Sequence, residues 1–261
     1  MEKLLKVHST TGNSSRAVDA RLKTPFNMII AGPTKAGKST LVGKMVNPLN
    51  GLFDREFDYV LIFTGTSSDN SNLVEDVHRN YGKNCCVFDN IFSRVSCTQF
   101  PKFLDSLLEN RARDGFHGLL IFDDLMVELG EAGVLVPLFT KMSSHHQISN
   151  LFTTQNLFHH QKRQTDGMTL YRNASYITIF NTPLDQTTAS IVAQRLDGKG
   201  FVSTANMIKS TYRKYRYIFI DGTQCAPSSL QFRTDLTGRS EENIPYQRVF
   251  VKTKDVFDGD C

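Results

Sequence analysis

Residues near the start of the chain have the types and spacing of a phosphate-binding loop. Residues 32–39 read Gly-Pro-Thr-Lys-Ala-Gly-Lys-Ser, which fits the pattern G-x-x-x-x-G-K-S. The glycines let successive backbone N–H groups point at phosphate oxygens. Lys38 is expected to reach the β- and γ-phosphates, and the Ser39 hydroxyl is expected to help hold Mg²⁺. The pattern predicts a site for ATP and Mg²⁺ whose nucleotide-binding residues are Gly32, Pro33, Thr34, Lys35, Ala36, Gly37, Lys38, Ser39 and Thr40.

Two adjacent acids follow a second apolar run. Asp123 and Asp124 come directly after residues 119–122, which read Leu-Leu-Ile-Phe. In a parallel sheet ligands collect at the carboxyl ends of the strands, where the phosphate loop also belongs. We expect Asp123 to bind Mg²⁺, through water, and Asp124 to orient or deprotonate the attacking water. The alternative is that the pair caps the N-terminus of a following helix.

Gln155 and Arg172 are two further candidates for catalysis. Gln155 ends the next apolar run, where its neutral amide could sense the γ-phosphate without adding negative charge. A polar residue at a strand end is, however, very common. Arg172 directly precedes another apolar run, which on this interpretation places it on the nucleotide side of the sheet. In a ring of subunits it could reach a neighbour's γ-phosphate, and a surface ion pair is the alternative.

The order of apolar and amphipathic segments predicts the fold that positions these residues. Short apolar runs predict strands, and they alternate with helical patterns, which is typical of a parallel sheet covered on both faces. We therefore predict an α/β fold with a loosely held polar leader (residues 1–25), a core (26–184) and a C-terminal extension of the same domain (185–261). The predicted strands are 26–31, 59–63, 85–88, 118–122, 148–153 and 175–180, with a pair at 215–220 and 230–236; the predicted helices are 40–46, 73–80, 100–113, 133–142 and 188–196.

Composition sets wider limits on function. The chain has 261 residues, 40% of them hydrophobic, which suits one α/β domain. The net charge of +4 permits contact with nucleic acid without arguing for it. No run of about 18 apolar residues is available for a membrane span, and the polar start does not fit a secretory signal. Five cysteines without C-x-x-C spacing predict free thiols in a reducing compartment, the cytosol or the nucleus.

One segment interleaves basic and aromatic residues. Residues 212–217 read Tyr-Arg-Lys-Tyr-Arg-Tyr. Such a segment could form a surface for single-stranded nucleic acid, on which bases stack against the aromatic rings. The alternative is an exposed strand with a tyrosine face and a charged face.

Together these residues resemble the genome-packaging ATPases of double-stranded DNA viruses and polinton-type elements. Those proteins belong to the FtsK–HerA superfamily and include the poxvirus-type packaging ATPase. The matching segments are 27–40, 57–63, 119–124, 147–158 and 172–183, in the family's order. Two features depart from the pattern. Asp124 stands where many relatives have Glu, and the chain after Leu184 matches only loosely.

The resemblance implies both a structure and an activity. It implies a P-loop NTPase with a RecA-like, mostly parallel sheet, in which the strand before Gln155 lies between the phosphate-loop strand and the Asp123 strand. It also implies a ring of five or six subunits that hydrolyses ATP and pumps double-stranded DNA into a preformed capsid, in contact with capsid or portal proteins. The corresponding location is the host cytoplasm or nucleus, or the virion, and not the secreted fraction.

Three other classes of protein share parts of this pattern. A small-molecule kinase would have the loop and the Mg²⁺ acid, but it would need a lid with several arginines. A superfamily-3 helicase would carry paired acids and an asparagine at a later strand end, where this chain has Gln155. A nucleotide-binding scaffold that does not hydrolyse ATP would share every feature. Stimulation of hydrolysis by DNA separates the packaging ATPase from a kinase or a scaffold.

Overall fold

A single mixed sheet organises the part of the chain that the computed structural model describes. That part comprises residues 6–8, 19–65, 71–112, 116–142, 147–158, 165–182, 185–197, 201–211, 215–224, 226–239 and 245–249. The strands are β1 (Lys6–His8), β2 (Asn27–Ala31), β3 (Tyr59–Thr64), β4 (Cys85–Asp89), β5 (Gly118–Asp123), β6 (Ile148–Thr154), β7 (Tyr176–Ile179), β8 (Ile218–Asp221), β9 (Phe232–Arg239) and β10 (Pro245–Val249). Their spatial order is β1-β10-β9-β8-β7-β2-β6-β5-β3-β4.

The strands from β7 to β4 are parallel to their neighbours and form the centre of the fold. Except on the edge strand β4, their side chains are buried on both faces, because helices cover both sides of the sheet. The prediction of a mostly parallel α/β sheet is confirmed. The strand that precedes Gln155, β6, lies between β2 and β5, as the family resemblance implied.

Helices pack on the two faces of the sheet in separate groups. They are α1 (Lys38–Met45), α2 (Ser71–Tyr81), α3 (Ile91–Arg94), α4 (Phe100–Ala112), α5 (Met126–Glu131), α6 (Leu135–Pro137), α7 (Thr165–Asn173), α8 (Gln186–Asp197) and α9 (Phe201–Lys209). Alternation along β2 shows the division. Met28 and Ile30 face the cluster with α1 and α2, whereas Ile29 and Ala31 face the cluster with α4 to α9. Within the described ranges, no helix is long and apolar enough to cross a membrane.

The first 25 residues differ from the predicted loose leader. Ala20 and Leu22 are buried, and Leu22 exchanges backbone hydrogen bonds with residues 52 and 54. The strand β1 pairs in parallel with β10. The few apolar residues in this segment follow neither a helical nor a strand period. Their burial depends on partners distant in the sequence, which a local pattern cannot predict. Residues 9–18 lie outside the described residues.

The helix predicted over 133–142 is wrong in form. The chain makes the short helix α6 and then a π-helix, Leu138–Met142. Pro137 lacks the N–H that a continuous α-helix would need at that position. A π-helix shifts backbone hydrogen bonds by one residue, and here it lies beside the phosphate-loop strand.

Beyond β7 the sheet continues with antiparallel strands, which the region after Leu184 supplies. The predicted pair of strands corresponds to β8 and β9, while β10 and the helices α7 and α9 were not predicted. A buried arginine, Arg233, joins these strands: its guanidinium donates to Asp221 on β8 at 2.9 Å, to Gln247 on β10 at 3.1 Å, and to the Ala20 carbonyl at 2.6 Å. It also lies over the Phe219 ring.

Candidate functional site

The phosphate loop follows β2 at the carboxyl edge of the sheet. The backbone continues the strand geometry into Gly32, whose N–H donates to the Thr154 carbonyl at 3.1 Å. A side chain at Gly32 would place its Cβ 2.5 Å from the Cβ of Phe180, so only glycine permits this approach of the two backbones. Gly37 has a φ of 102°, the left-handed region that glycine adopts without strain. The loop then enters α1 at Lys38.

Lys38 turns its side chain back over the loop. Its Nζ donates to the carbonyl oxygens of Gly32 at 2.8 Å and of Pro33 at 3.1 Å. Burial lowers the pKa of Lys38, and the nearby carboxylates of Asp124 and Asp123 oppose that shift. The ammonium is therefore held inside the curve of the loop, in the place where phosphate oxygens would need a positive charge.

Asp123 is the buried acid of the site. Its side chain is 3% exposed, and its carboxylate accepts hydrogen bonds from Ser39 Oγ at 3.4 Å and from Thr153 Oγ1. Burial raises the pKa of the Asp123 carboxyl, while the hydrogen bond from Thr153 acts in the opposite direction. Ser39 and Asp123 thus present adjacent oxygen atoms, which suits the hard Mg²⁺ ion.

Asp124 and Gln155 contact each other at the open side of the cleft. Gln155 Nε2 donates to Asp124 Oδ2 at 3.0 Å, and both residues are exposed. The backbone of Asp124 has a φ of 57°, which is rare outside glycine, and its N–H donates to Thr153 Oγ1 at 3.0 Å. The alternative in which this acid caps α5 finds no support. The N-cap residue is Leu125, and no side chain makes a capping hydrogen bond there.

One cleft brings most of the predicted residues together. Its lining includes Thr34, Lys35, Gly37, Lys38, Ser39, Thr40, Asp123, Asp124 and Gln155. The other three loop residues, Gly32, Pro33 and Ala36, belong to the loop without lining the cleft. Thr153 and Tyr215 also line it and were not predicted as site residues. Thr153 is paired with Asp123 in the register of β5 and β6, a relation that only the sheet topology reveals.

Arg172 lies at the opposite edge of the sheet, so its predicted placement on the nucleotide side is wrong. It is exposed in the last turn of α7. The strand β7 is parallel to β2, with Tyr176 beside Met28 and Ile179 beside Ala31. Arg172 precedes the amino end of β7, about 13 Å along the strands from the phosphate loop. It is not among the residues that line the cleft.

A pair of buried asparagines connects the phosphate-loop strand to the Arg172 segment. Asn27, the first residue of β2, donates through Nδ2 to the Phe139 carbonyl in the π-helix at 2.8 Å and to the Asn173 carbonyl at 3.3 Å. Asn150 on β6 donates to Asn27 Oδ1 at 2.9 Å and to the Leu138 carbonyl at 3.1 Å. The π-helix and the end of α7 are thereby fixed to the strand that carries the phosphate loop.

Comparison with known proteins identifies the family. The model of the family described as Poxvirus A32 protein matches residues 15–237, well over half of the chain. The chain belongs to this family. The match confirms the predicted relationship to the poxvirus-type packaging ATPases. No curated protein matches the chain.

Solved structures show a weaker likeness. EssC (ATPases 2 and 3) from Geobacillus thermodenitrificans is 13% identical, with a TM-score of 0.42 over 59% of this chain and 32% of that chain. An ATPase of a type III secretion system of pathogenic bacteria is 12% identical, with a TM-score of 0.44 over 73% of this chain and 64% of that chain. EscN from enteropathogenic E. coli is 15% identical, with a TM-score of 0.39 over 59% and 42%. The A32-family chain spans less than two thirds of each, and these likenesses carry no argument about function.

Proposed function

We propose that this chain is the motor that hydrolyses ATP to translocate double-stranded DNA into a preformed capsid. The observation that carries the proposal is the cleft in which Lys38, Asp123 and Asp124 meet, in a chain of the A32 family. A positive charge, a pair of oxygen ligands and an exposed carboxylate are the groups that phosphoryl transfer to water requires.

The phosphate-binding half of the site has separate groups for charge and for metal. When a nucleotide binds, Lys38 Nζ would give up its hydrogen bonds to the carbonyls of Gly32 and Pro33 and would donate to β- and γ-phosphate oxygens instead. These oxygens would lie inside the same loop. Ser39 and Asp123 would hold Mg²⁺. The bound ion would neutralise the negative charge that develops on the phosphate oxygens. The hydrogen bond from Thr153 keeps the Asp123 carboxylate aimed toward Ser39.

The hydrolytic half is the contact between Asp124 and Gln155. The exposed Asp124 carboxylate would accept a proton from the attacking water. The amide of Gln155 donates to Asp124 Oδ2, which fixes the carboxylate and leaves the other oxygen, Oδ1, for the water. Many relatives have Glu at this place, and Asp is shorter by one methylene group. The contact with Gln155 gives this shorter side chain a defined position.

The proposed motor activity requires contacts with other subunits, with DNA and with capsid or portal proteins. We infer a homo-oligomeric ring, in which Arg172 would contact the nucleotide of a neighbour, because this arginine is exposed and distant from the cleft of its own subunit. Duplex DNA would be gripped through its phosphates, and contact with capsid or portal proteins would direct the product. Assembly would take place in the host cytoplasm or nucleus.

The test compares the parent protein with Lys38→Ala and, as a matched control, with the exposed Lys83→Ala. Lys38→Ala removes the charge that offsets phosphate repulsion, so Mg-ATP affinity by fluorescence titration should fall at least tenfold, about 1.4 kcal/mol. Lys83→Ala should bind like the parent. Duplex DNA should stimulate hydrolysis by the parent, and the stimulation should fall as salt rises. Tight ATP binding with no turnover, with or without DNA, would contradict the motor and favour the scaffold.

A further inference from the structure

A second pocket opens beside the phosphate cleft. Its lining includes the rings of Tyr215, Tyr217 and Phe180, residues Thr40 and Lys44 of α1, and Asp235 of β9. Tyr217 and Phe180 are buried with their ring centroids 5.3 Å apart, while Tyr215 is 60% exposed. The pocket therefore has two buried aromatic rings and one exposed aromatic ring in its lining.

The two openings are parts of one continuous depression. Gly37, Thr40 and Tyr215 line both of them. A Cβ at Gly37 would lie 3.4 Å from Cδ1 of Tyr215, so the tyrosine ring is directly above the loop where α1 begins. A nucleotide whose phosphates lie in the loop must leave the cleft toward one side, and its sugar and base would pass Thr40 into the aromatic pocket.

The backbone around the pocket is shaped to hold these side chains. Tyr215 has a φ of 62° and Asp235 a φ of 53°, values that are rare for residues with large side chains and that occur at ligand sites. The register of β9 with β10 shifts between Tyr246 and Arg248, and Asp235 lies in that irregular part of β9. Arg248 pairs with the Asp235 carboxylate at 3.2 Å. The strand irregularity thus lies at the residue that contributes a carboxylate to the lining of the pocket.

We propose that this pocket is the base subsite of the nucleotide, that it takes a purine, and that the face of the base stacks on the Tyr215 ring. The inference rests on the proposed ATP site and names the residue that selects the base. Stacking on an aromatic ring is strongest for the larger purine ring system, because it covers more of the tyrosine face. The basic and aromatic segment 212–217 thus has a nucleotide, rather than a nucleic acid, as the ligand of its central tyrosine.

The test separates the base from the phosphates. Isothermal titration of the full chain would use Mg-ATP, Mg-UTP and magnesium tripolyphosphate, which has the phosphates and no base. The variants are Tyr215→Ala and, as the matched control, Tyr215→Phe, which keeps the ring. Tyr215→Ala should weaken Mg-ATP binding about tenfold or more and should remove the preference for ATP over UTP. Its affinity for tripolyphosphate should equal that of the parent, and Tyr215→Phe should match the parent throughout.

Three results would overturn the base subsite. The first is an unchanged affinity of Tyr215→Ala for Mg-ATP. The second is an equal loss for Mg-ATP and tripolyphosphate, which would make Tyr215 a support of the phosphate loop. The third is a loss in Tyr215→Phe as large as in Tyr215→Ala, which would assign the effect to the hydroxyl. A parent protein that binds neither Mg-ATP nor tripolyphosphate would instead refute the phosphate site itself, and this inference with it.

Discussion

Thr153 forms hydrogen bonds with both acids of the site. Its hydroxyl donates to the Asp123 carboxylate and accepts from the backbone N–H of Asp124 at 3.0 Å. A single buried side chain thus fixes one acid through its side chain and the other through its backbone. Because the Asp124 backbone is held in a left-handed conformation, the two carboxylates point to different surroundings, one buried and one exposed. Such a difference in environment would permit the different roles that we propose for these adjacent acids.

Substitution of the exposed acid should separate nucleotide binding from turnover. Asp124→Asn should keep Mg-ATP binding and lose hydrolysis, because a neutral amide cannot take the proton from water. The matched control is Asp89→Asn, which changes an exposed acid at the end of β4 that does not line the cleft. Steady-state phosphate release and ATP titration are the two measurements. Hydrolysis at the parent rate by Asp124→Asn would show that another group serves as the base.

A buried histidine far from the site gives the fold a pH dependence. The ring of His117 contacts Ser149 Oγ and the Glu56 carbonyl, each at 3.3 Å, and burial lowers its pKa below the ordinary 6.5. The unfolded chain therefore takes up a proton at a pH where the folded protein does not. The free energy of unfolding should fall as pH drops below about 6.5, until the pH passes the folded-state pKa.

Urea unfolding at about pH 7.5 and at about pH 5.5 tests this contribution. His117→Gln should lose less stability between the two conditions than the parent does, because the variant has no ring to protonate. His78→Gln, which changes an exposed histidine on α2, should keep the parent's difference. Equal pH dependence in all three proteins would exclude His117 as a source.

At the scale of elements, the close packing of β2 against β7 determines where the phosphate loop leaves the sheet. Phe180 follows β7 and donates its N–H to the Ala31 carbonyl at 2.8 Å, and Gly32 lies against the same residue. The loop therefore leaves the sheet at a point where the backbones of two parallel strands are in close contact. This packing uses a glycine that the sequence pattern requires for a different reason, the approach of phosphate.

A methyl group at this position should separate the strands. Gly32→Ala would put a Cβ 2.5 Å from the Phe180 Cβ and 3.1 Å from its carbonyl oxygen. We expect a loss of about 1–3 kcal/mol in the free energy of unfolding, the usual cost of overpacking. Gly65→Ala is the control, since its Cβ would make only an ordinary contact with Leu125 at 3.6 Å. A Gly32→Ala protein as stable as the control in urea unfolding would contradict the strand contact.

The elements divide sharply into those that the sequence predicted and those it did not. The parallel strands β2 to β7 are short, mostly apolar runs, so their bounds were predicted to within one residue. The outer strand β10, which was not predicted, carries polar residues such as Gln247, whose burial depends on Arg233 of the neighbouring β9. The π-helix depends on Asn27 and Asn150, which are distant in sequence. Patterns within a segment cannot report such partners.

The site shows the same limit. The phosphate loop, Asp123 and Gln155 each belong to a short segment with a recognisable pattern, and they meet in the cleft as expected. The sequence distinguishes Tyr215 only as part of a basic and aromatic segment. Its position beside Gly37 depends on the fold, so a local pattern does not predict that it lines the cleft. Arg172 was assigned to the wrong edge, because a residue before a parallel strand lies opposite the residue after it.

At the scale of the whole molecule, the separation of Arg172 from the cleft predicts complementation between subunits. Arg172→Ala and Asp124→Asn proteins should each lack DNA-stimulated ATPase activity. An arginine supplied to a neighbour's nucleotide is worth roughly 10³ or more in rate. Their mixture should recover part of the activity, because the Asp124→Asn subunit can lend its Arg172 to the intact site of the other.

A second mixture is the control for this experiment. Asp123→Asn and Asp124→Asn proteins both damage their own cleft, so mixing them creates no intact site and should recover nothing. Native mass measurement before the assay establishes that each variant assembles. Absence of recovery in the first mixture, with assembled subunits, would mean that Arg172 acts within its own subunit or has no part in hydrolysis.

The buried Asn27 has a consequence for such a ring. Its carboxamide holds the carbonyl of Asn173, which follows Arg172, while its backbone begins the strand that ends in the phosphate loop. When a neighbour loses its γ-phosphate, the altered pull on Arg172 would be delivered through one hydrogen bond to the subunit's own nucleotide. In the proposed ring, this hydrogen bond would connect the Arg172 segment of a subunit to the strand that carries its own phosphate loop.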